Sequence, residues 1–259
     1  MNKGKAEYEV DTINDGKRDR TSISIAQESP VTIMLDDTEL VTLLCSPTDL
    51  NYLAIGYLYS EGFIRHKSEI ERVIVDDRNG IVRVTTIKGK PIEQFNQYKR
   101  MITSGCGRGV SFYSEADIAT QKIESQMQVS SIQIIQLVKE FQMGSQLYKE
   151  TRGVHSAALS NENCIVIFRE DIGRHNAIDK IFGKCILEDV ATDEMMVITS
   201  GRISSEIVFK VAKRHTPIII SISAPTDLGV KTAEKLGITL VSSVRGTRMI
   251  VNTNVWRVN

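Results

Sequence analysis

Between residues 195 and 242 the chain alternates single strands with single helices, and this order limits the fold more than any other feature. Met195 to Thr199, Pro217 to Ile222 and Ile238 to Ser242 are short apolar runs rich in β-branched residues. The intervening segments, Ile203 to Arg214 and Thr226 to Leu236, have helical spacing. Strands joined by single helices cross over right-handed and pair in parallel, so a layered α/β sheet is predicted.

Upstream segments extend that sheet. Ser130 to Tyr148 places Ile132, Ile135, Leu137, Val138 and Phe141 near helical spacing. Val154 to Leu159 and Cys164 to Phe168 read as strands around a Ser160 to Asn163 turn, and a helix follows from Arg174 to Leu187. A last short strand covers Thr247 to Thr253. Residues 130–259 are therefore expected to form an α/β/α domain. Residues 1–100 read as a smaller, strand-rich α+β subdomain, and 101–129 as a cysteine loop and linker. In the smaller part, hairpins are predicted around Asp36-Asp37 and Asn79-Gly80. Ser46-Pro47-Thr48-Asp49 is expected to open a mostly buried helix, with Ser46 as the cap, that runs from Leu50 to Tyr59.

Charge and cysteine usage remove whole classes of function. With 32 basic and 32 acidic side chains the chain carries no net charge, which argues against nucleic acid as a partner. No apolar run reaches the ~18 residues of a membrane span, and Met1 to Glu7 leads into no apolar signal region. A cytoplasmic protein with no membrane partner is expected. Four cysteines, none in C-x-x-C, fit neither a disulfide framework, a zinc ribbon nor a thioredoxin-type site.

Ligands of open parallel sheets bind where strands end and loops feed helix N-termini. Thr199 to Arg202, Ser223 to Asp227 and Ser242 to Arg248 are such segments, rich in small residues and holding Arg202, Arg245 and Arg248. Exposed backbone N–H groups and fixed guanidinium charge suit phosphate or pyrophosphate. For any one segment taken alone, ordinary helix capping by Ser and Asp is the better reading, and it is the three together on one sheet edge that point to a site. Neither dinucleotide nor P-loop glycine fingerprint occurs.

Cys106 differs from the other thiols. It lies in Gly105-Cys106-Gly107-Arg108-Gly109, where the glycines give access and Arg108 favours thiolate. On the residues alone, nucleophile and incidental loop cysteine are even. Cys45, Cys164 and Cys185 fall in apolar elements and are expected to be inert core residues. His215 reads as a helix-terminal cation, His66 as an exposed loop residue, and His155 and His175 as capping or core residues. The element order is similar to the cytidine-deaminase fold, but Ala177 stands where its catalytic Glu would be in H-x-E, and no cysteine follows at the next helix start. No metal, and specifically no zinc, is expected.

Taken together, these motifs resemble the FdhD family, sulfur carriers required for formate dehydrogenase activity. The matching stretches include Ser46 to Leu50, Gly56 to Gly62, Thr103 to Gly107, Gly153 to Leu159, Glu170 to Lys180, Ser200 to Glu206 and Ser221 to Thr226. The resemblance implies a deaminase-like α/β domain and a sulfurtransferase role. Sulfur would come from a cysteine desulfurase as a persulfide on Cys106 and pass to the molybdenum cofactor, in its bis-molybdopterin guanine dinucleotide form. The formate dehydrogenase apoenzyme would then receive that cofactor. The cofactor-binding candidates are Ser242, Ser243, Val244, Arg245, Gly246, Thr247 and Arg248, with Arg202, Ser223, Thr226 and Asp227. Asp227 or Asp171 could accept the N–H pair of a GDP-like guanine moiety. Familiar members carry C-x-x-C at the loop, whereas here Cys106 is alone; one sulfur suffices for a carrier. The rival readings are a guanine-nucleotide or molybdenum-cofactor chaperone without sulfur transfer, and a cysteine hydrolase with His155 or His175 as base. Sequence leaves a homodimer open.

Overall fold

The structure, a computed structural model, describes residues 4–87, 100–102, 110–112 and 122–259. It opens with an element the sequence reading passes over. Strands β1 (Lys5–Asn14) and β2 (Lys17–Ala26) form an antiparallel ribbon across Asp15-Gly16, both with positive φ. Asp-Gly is a favoured primed-turn pair, so the signal was present. The ribbon is mostly exposed and is tied down at its open end, where Lys5 Nζ lies 2.9 Å from a Glu150 carboxylate oxygen.

The predicted hairpins form one four-stranded sheet. β3 (Ser29–Leu35) and β4 (Thr38–Cys45) flank the Asp36 turn, helix α1 (Leu50–Ser60) follows, and β5 (Ile70–Asp76) pairs with β6 (Ile81–Thr86). The order is β4-β3-β6-β5, with β3 parallel to β6. Alternate residues Val31, Ile33, Leu35, Val82 and Val84 are buried with Leu53, Ala54 and Leu58 of α1. The start of α1 departs from expectation: Asp49, in a left-handed conformation, is its N-cap, and Ser46 caps nothing. Ser46 is drawn away by a long-range contact, its N–H donating to Asp171 at 3.1 Å and its hydroxyl accepting from Ile172 N–H.

The short pair β7 (Arg100–Ile102) and β8 (Val110–Phe112) is antiparallel. Then α2 (Ser131–Gly144) and α3 (Gln146–Thr151) replace the single predicted helix, breaking at Ser145. The Ser145 hydroxyl donates to the Phe141 carbonyl and meets the Ser156 hydroxyl at 2.9 Å, which fixes the break against the sheet. From there the chain forms β9 (His155–Ser160), β10 (Ile165–Asp171), α4 (Arg174–Leu187), β11 (Met196–Thr199), α5 (Ser205–Lys213), β12 (Ile218–Ser221), α6 (Asp227–Leu236), β13 (Thr239–Arg245) and β14 (Arg248–Val251).

These strands make one sheet in the order β10-β9-β11-β12-β13-β14, parallel through β11, β12 and β13 and antiparallel elsewhere. Its two faces are both covered. Val197, Ile219 and Leu240 pack against α4, α5 and α6, while Met196, Ile198, Ile218, Ile220 and Val241 pack against α2. Burial on both sides explains the unbroken apolar runs of β11 and β12. The predicted layered α/β/α architecture is present, and the element order is compatible with a deaminase-like arrangement.

Helix α4 serves both sheets. Its Ile186 belongs to the apolar cluster under the four-stranded sheet. A Cβ at Gly56 would lie 1.8 Å from the Asp179 carbonyl, and one at Gly183 would lie 1.8 Å from the Tyr52 carbonyl. Two glycines thus let α1 and α4 cross at backbone contact. Buried ion pairs flank the crossing: Asp171 with Lys180 and Asp179 with Lys210, each at 2.6 Å.

Candidate functional site

Six strands bring a set of polar residues to one edge of the large sheet. Because β9 runs antiparallel to its neighbours, its first residue His155 lies beside the last residue of β10, Asp171, and near the end of β11. The parallel strands β11, β12 and β13 end on that same edge.

Backbone bonds stitch the strand-end segments side by side. Ile203 N–H donates to the Ala224 carbonyl at 3.3 Å, and Thr226 N–H donates to the Ile203 carbonyl at 2.9 Å. Ser243 N–H donates to the Ser223 carbonyl at 3.0 Å, and the Ser221 hydroxyl donates to the Gly201 carbonyl at 2.7 Å. The three segments singled out in the sequence are therefore neighbours. The third is not a loop, however: β13 continues to Arg245, which pairs with Arg248 across Gly246-Thr247. Pairing with β14 holds it, and a bulge between Ser242 and Arg245 with Ser243 at φ 52° accommodates the turn.

The individual candidates divide by what already engages them. Arg202, Arg245, Thr247 and Arg248 are exposed, and no carboxylate among the described residues pairs with the three guanidinium groups. Ser223 is half-buried, with its carbonyl taken by Ser243. The Ser242 hydroxyl donates to the Asn252 side chain at 2.7 Å. Val244 is a correction at the level of the side chain: it is buried in the core with α2, so only its backbone can face a ligand. Thr226 caps α6, accepting from Gly229 N–H at 3.1 Å, and Asp227 pairs with Lys231 at 2.9 Å one turn on. Helix capping accounts for those two.

Asp171 cannot read a guanine. It is fully buried, and its oxygens accept from Lys180, from Ser46 and Gly173 N–H and from the Asn176 amide. Lys180 in turn donates to the Ser46 and Glu170 carbonyls and the Thr48 hydroxyl. Glu170 accepts from Leu147 and Tyr148 N–H at the start of α3. Most of the Glu170 to Lys180 block is thus a clamp joining the strand-end edge to the segment before α1.

Two residues of that block do something else. Arg174 and His175 form the first turn of α4, which no side chain caps. His155 is half-buried and its Nδ1 lies 3.3 Å from the Ser200 hydroxyl, which also accepts from Ser156 N–H. Burial, with Arg174 next, holds the His155 pKa below its ordinary value. His175 Nε2 lies 3.4 Å from Glu206 on α5, and burial, followed by Lys210 and Arg174, pushes its pKa down to about 3. Burial raises the Glu206 pKa. Both imidazoles are neutral at pH 7. Sequence reading treated these histidines singly; the pairing of β9 with β10 and β11 is what assembles them.

Cys106, in the 103–109 segment, lies outside the described residues. Among the others, Cys45 and Cys185 are buried, and burial pushes their thiols up to about 12 and about 11. Cys164 corrects an expectation: it is exposed, in the turn before β10 rather than in the core. That turn is made by Asn161, whose side chain accepts from Asn163 and Cys164 N–H and leaves the thiol outside. Among the described residues no three His, Cys, Asp or Glu side chains group to hold a metal ion, and no helix is long and apolar enough to cross a membrane.

Comparison with known proteins places this architecture. The sequence profile described as the FdhD/NarQ family matches residues 26–259. The chain is 39% identical over 244 residues to the sulfur carrier protein FdhD of Bacillus subtilis, covering 94% of this chain and 93% of that one. It is 42% identical over 234 residues to the protein of that name from Staphylococcus aureus, covering 89% and 88%. In structure it is similar to a crystal structure from Desulfotalea psychrophila assigned as a formate dehydrogenase accessory protein. The TM-score is 0.82 at 26% identity, over 99% of this chain and all of the other.

Proposed function

The chain belongs to the FdhD/NarQ family, and from that premise we propose that it is a sulfur carrier that readies the molybdenum cofactor for a formate dehydrogenase. The carrier atom is the Cys106 sulfur. Its thiolate attacks the outer sulfur of a persulfide on a cysteine desulfurase. A new S–S bond forms on Cys106, the donor S–S bond breaks, and the donor cysteine leaves as thiolate. The exchange is redox-neutral and needs no second loop thiol. On delivery the Cys106 S–S bond would break with its electron pair kept by Cys106, which returns as thiolate, and the acceptor would supply the electron pair of the new bond to the outer sulfur. The guanine dinucleotide form of the cofactor is the acceptor, and the apoenzyme of formate dehydrogenase takes it onward. The reaction is a sulfur transfer in the cytoplasm.

The observation that supports this reading best is the stitched strand-end edge. Arg202, Arg245 and Arg248 are exposed there without carboxylate partners among the described residues, beside backbone turns at Ser223 and Ser243. Such an edge suits the phosphates of a dinucleotide. The thiols at Cys45 and Cys185 are too buried and too weakly acidic to compete as carriers.

Formate dehydrogenase maturation in a strain lacking the native gene tests the proposal. Cys106→Ser should leave the apoenzyme inactive while the purified variant still binds GDP. Full maturation by Cys106→Ser would transfer the role to the chaperone reading, in which the protein holds the cofactor without moving sulfur.

A further inference from the structure

Three polar atoms with no hydrogen-bond partner among the described residues are buried where α4 and α5 begin: Arg174 Nε, His175 Nε2 and Ser204 Oγ. Leaving a buried polar group unsatisfied is costly, so three from neighbouring turns need a common explanation. Ser204 is 8% exposed and is the N-cap residue of α5, yet its hydroxyl caps nothing. Helix α4 likewise starts at Gly173 without a side-chain cap. The two first turns touch, with His175 Nε2 3.4 Å from Glu206 Oε2. Gly201 completes the arrangement. A Cβ there would come within 2.8 Å of the Arg174 side chain, so only glycine lets the arginine stem lie across this loop.

We propose that these two uncapped helix starts, with Arg174, His175 and Ser204, form a binding site for a phosphoryl group or like tetrahedral oxyanion. Both helix N-termini carry positive dipole ends and free N–H groups. A guanidinium N–H and a hydroxyl supply charge-assisted and neutral donors, and a neutral His175 can donate from Nε2. The local charge favours an anion: Arg174 and Arg202 outweigh Glu206, while Lys210 is neutralised by Asp179 at 2.6 Å. Ile203, the residue before Ser204, is bonded to the Ala224 to Thr226 segment, so the site adjoins the strand-end edge. It does not depend on the sulfur-carrier reading, because an oxyanion seats here whether or not Cys106 carries sulfur.

Isothermal titration calorimetry of the full chain with inorganic pyrophosphate, at constant ionic strength in chloride, tests the site. One-to-one binding is expected, weakened about tenfold or more in Arg174→Lys, which keeps the charge but loses the planar fork. Ser204→Ala should weaken binding too. Its melting temperature without ligand should stay within about 2 °C of the parent, since its hydroxyl caps nothing. If Arg174→Lys fails to fold, Ser204→Ala decides alone. Lys184→Ala, which removes a cation from the last turn of α4, should bind as the parent does. Displacement of pyrophosphate by GDP but not by guanosine would make a nucleotide the phosphate source, and no displacement would make it a free oxyanion; both outcomes support the site. No binding, or binding unaltered in Arg174→Lys and Ser204→Ala, overturns it.

Discussion

The two buried thiols and His175 each make a prediction that depends on one side chain. Brief alkylation of the native protein at pH 8 should label Cys164 and spare Cys45 and Cys185, whose thiols burial pushes up to about 11 or higher. Labelling of Cys45 at the rate of Cys164 would contradict the core described here. His175 makes stability depend on pH. Its folded pKa, about 3, lies below the ordinary 6.5, so between those values the unfolded chain binds a proton that the folded protein refuses. Stability is unaffected by this group above pH 6.5 and is lost as pH falls below it, by at most about 1.4 kcal/mol per pH unit. Glu206, with its raised pKa, acts in the opposite sense: the folded state keeps a proton longer, and that contribution is lost as pH rises. Denaturant titrations at pH 6.5 and pH 5 should show a smaller loss in His175→Gln than in the parent. An equal loss in both would remove His175 as the source.

Helix α4 meets several structural demands at once. It packs under the large sheet, lends Ile186 to the smaller one, and crosses α1 at backbone contact through Gly183. Gly183→Ala would drive a methyl into the Tyr52 carbonyl, and helix propensity alone would predict a gain of about 1 kcal/mol. The clash should win, with a loss of about 3 kcal/mol or more on chemical denaturation. A stabilised variant would mean that the helices do not cross so closely. The range of α4, Arg174–Leu187, was fully legible because its apolar residues repeat at helical spacing. So were the β3–β4 and β5–β6 hairpins, from their alternation and turn residues. The start of α1 was misread because Ser46 and Pro47 carry cap chemistry that a contact 125 residues away overrides. The β1–β2 ribbon went unread although Asp15-Gly16 marked its turn: its strands are polar and exposed, and no buried face gives them a pattern.

At the scale of the whole molecule, two sheets are locked into one body and a polar edge is left where the large sheet's strands end. The neighbourhood of the three arginine-bearing segments was legible, since parallel crossovers must put their strand ends on one side. The histidines, Arg174 and Ser204 were not, because their meeting depends on the strand order that sets β9 between β10 and β11. The C-terminal tail adds a second fastening: Arg257, fully buried, donates to the Ser125 and Gly237 carbonyls and holds the segment that follows the cysteine region. In the proposed mechanism sulfur rides on Cys106 and on no other thiol. Incubation with a cysteine desulfurase and cysteine, followed by peptide mass spectrometry without reductant, tests it most directly. One added sulfur, of about 32 Da, should be confined to the peptide containing Cys106 and absent from Cys106→Ala. Added sulfur on Cys164, the exposed thiol, with none on Cys106 would contradict it.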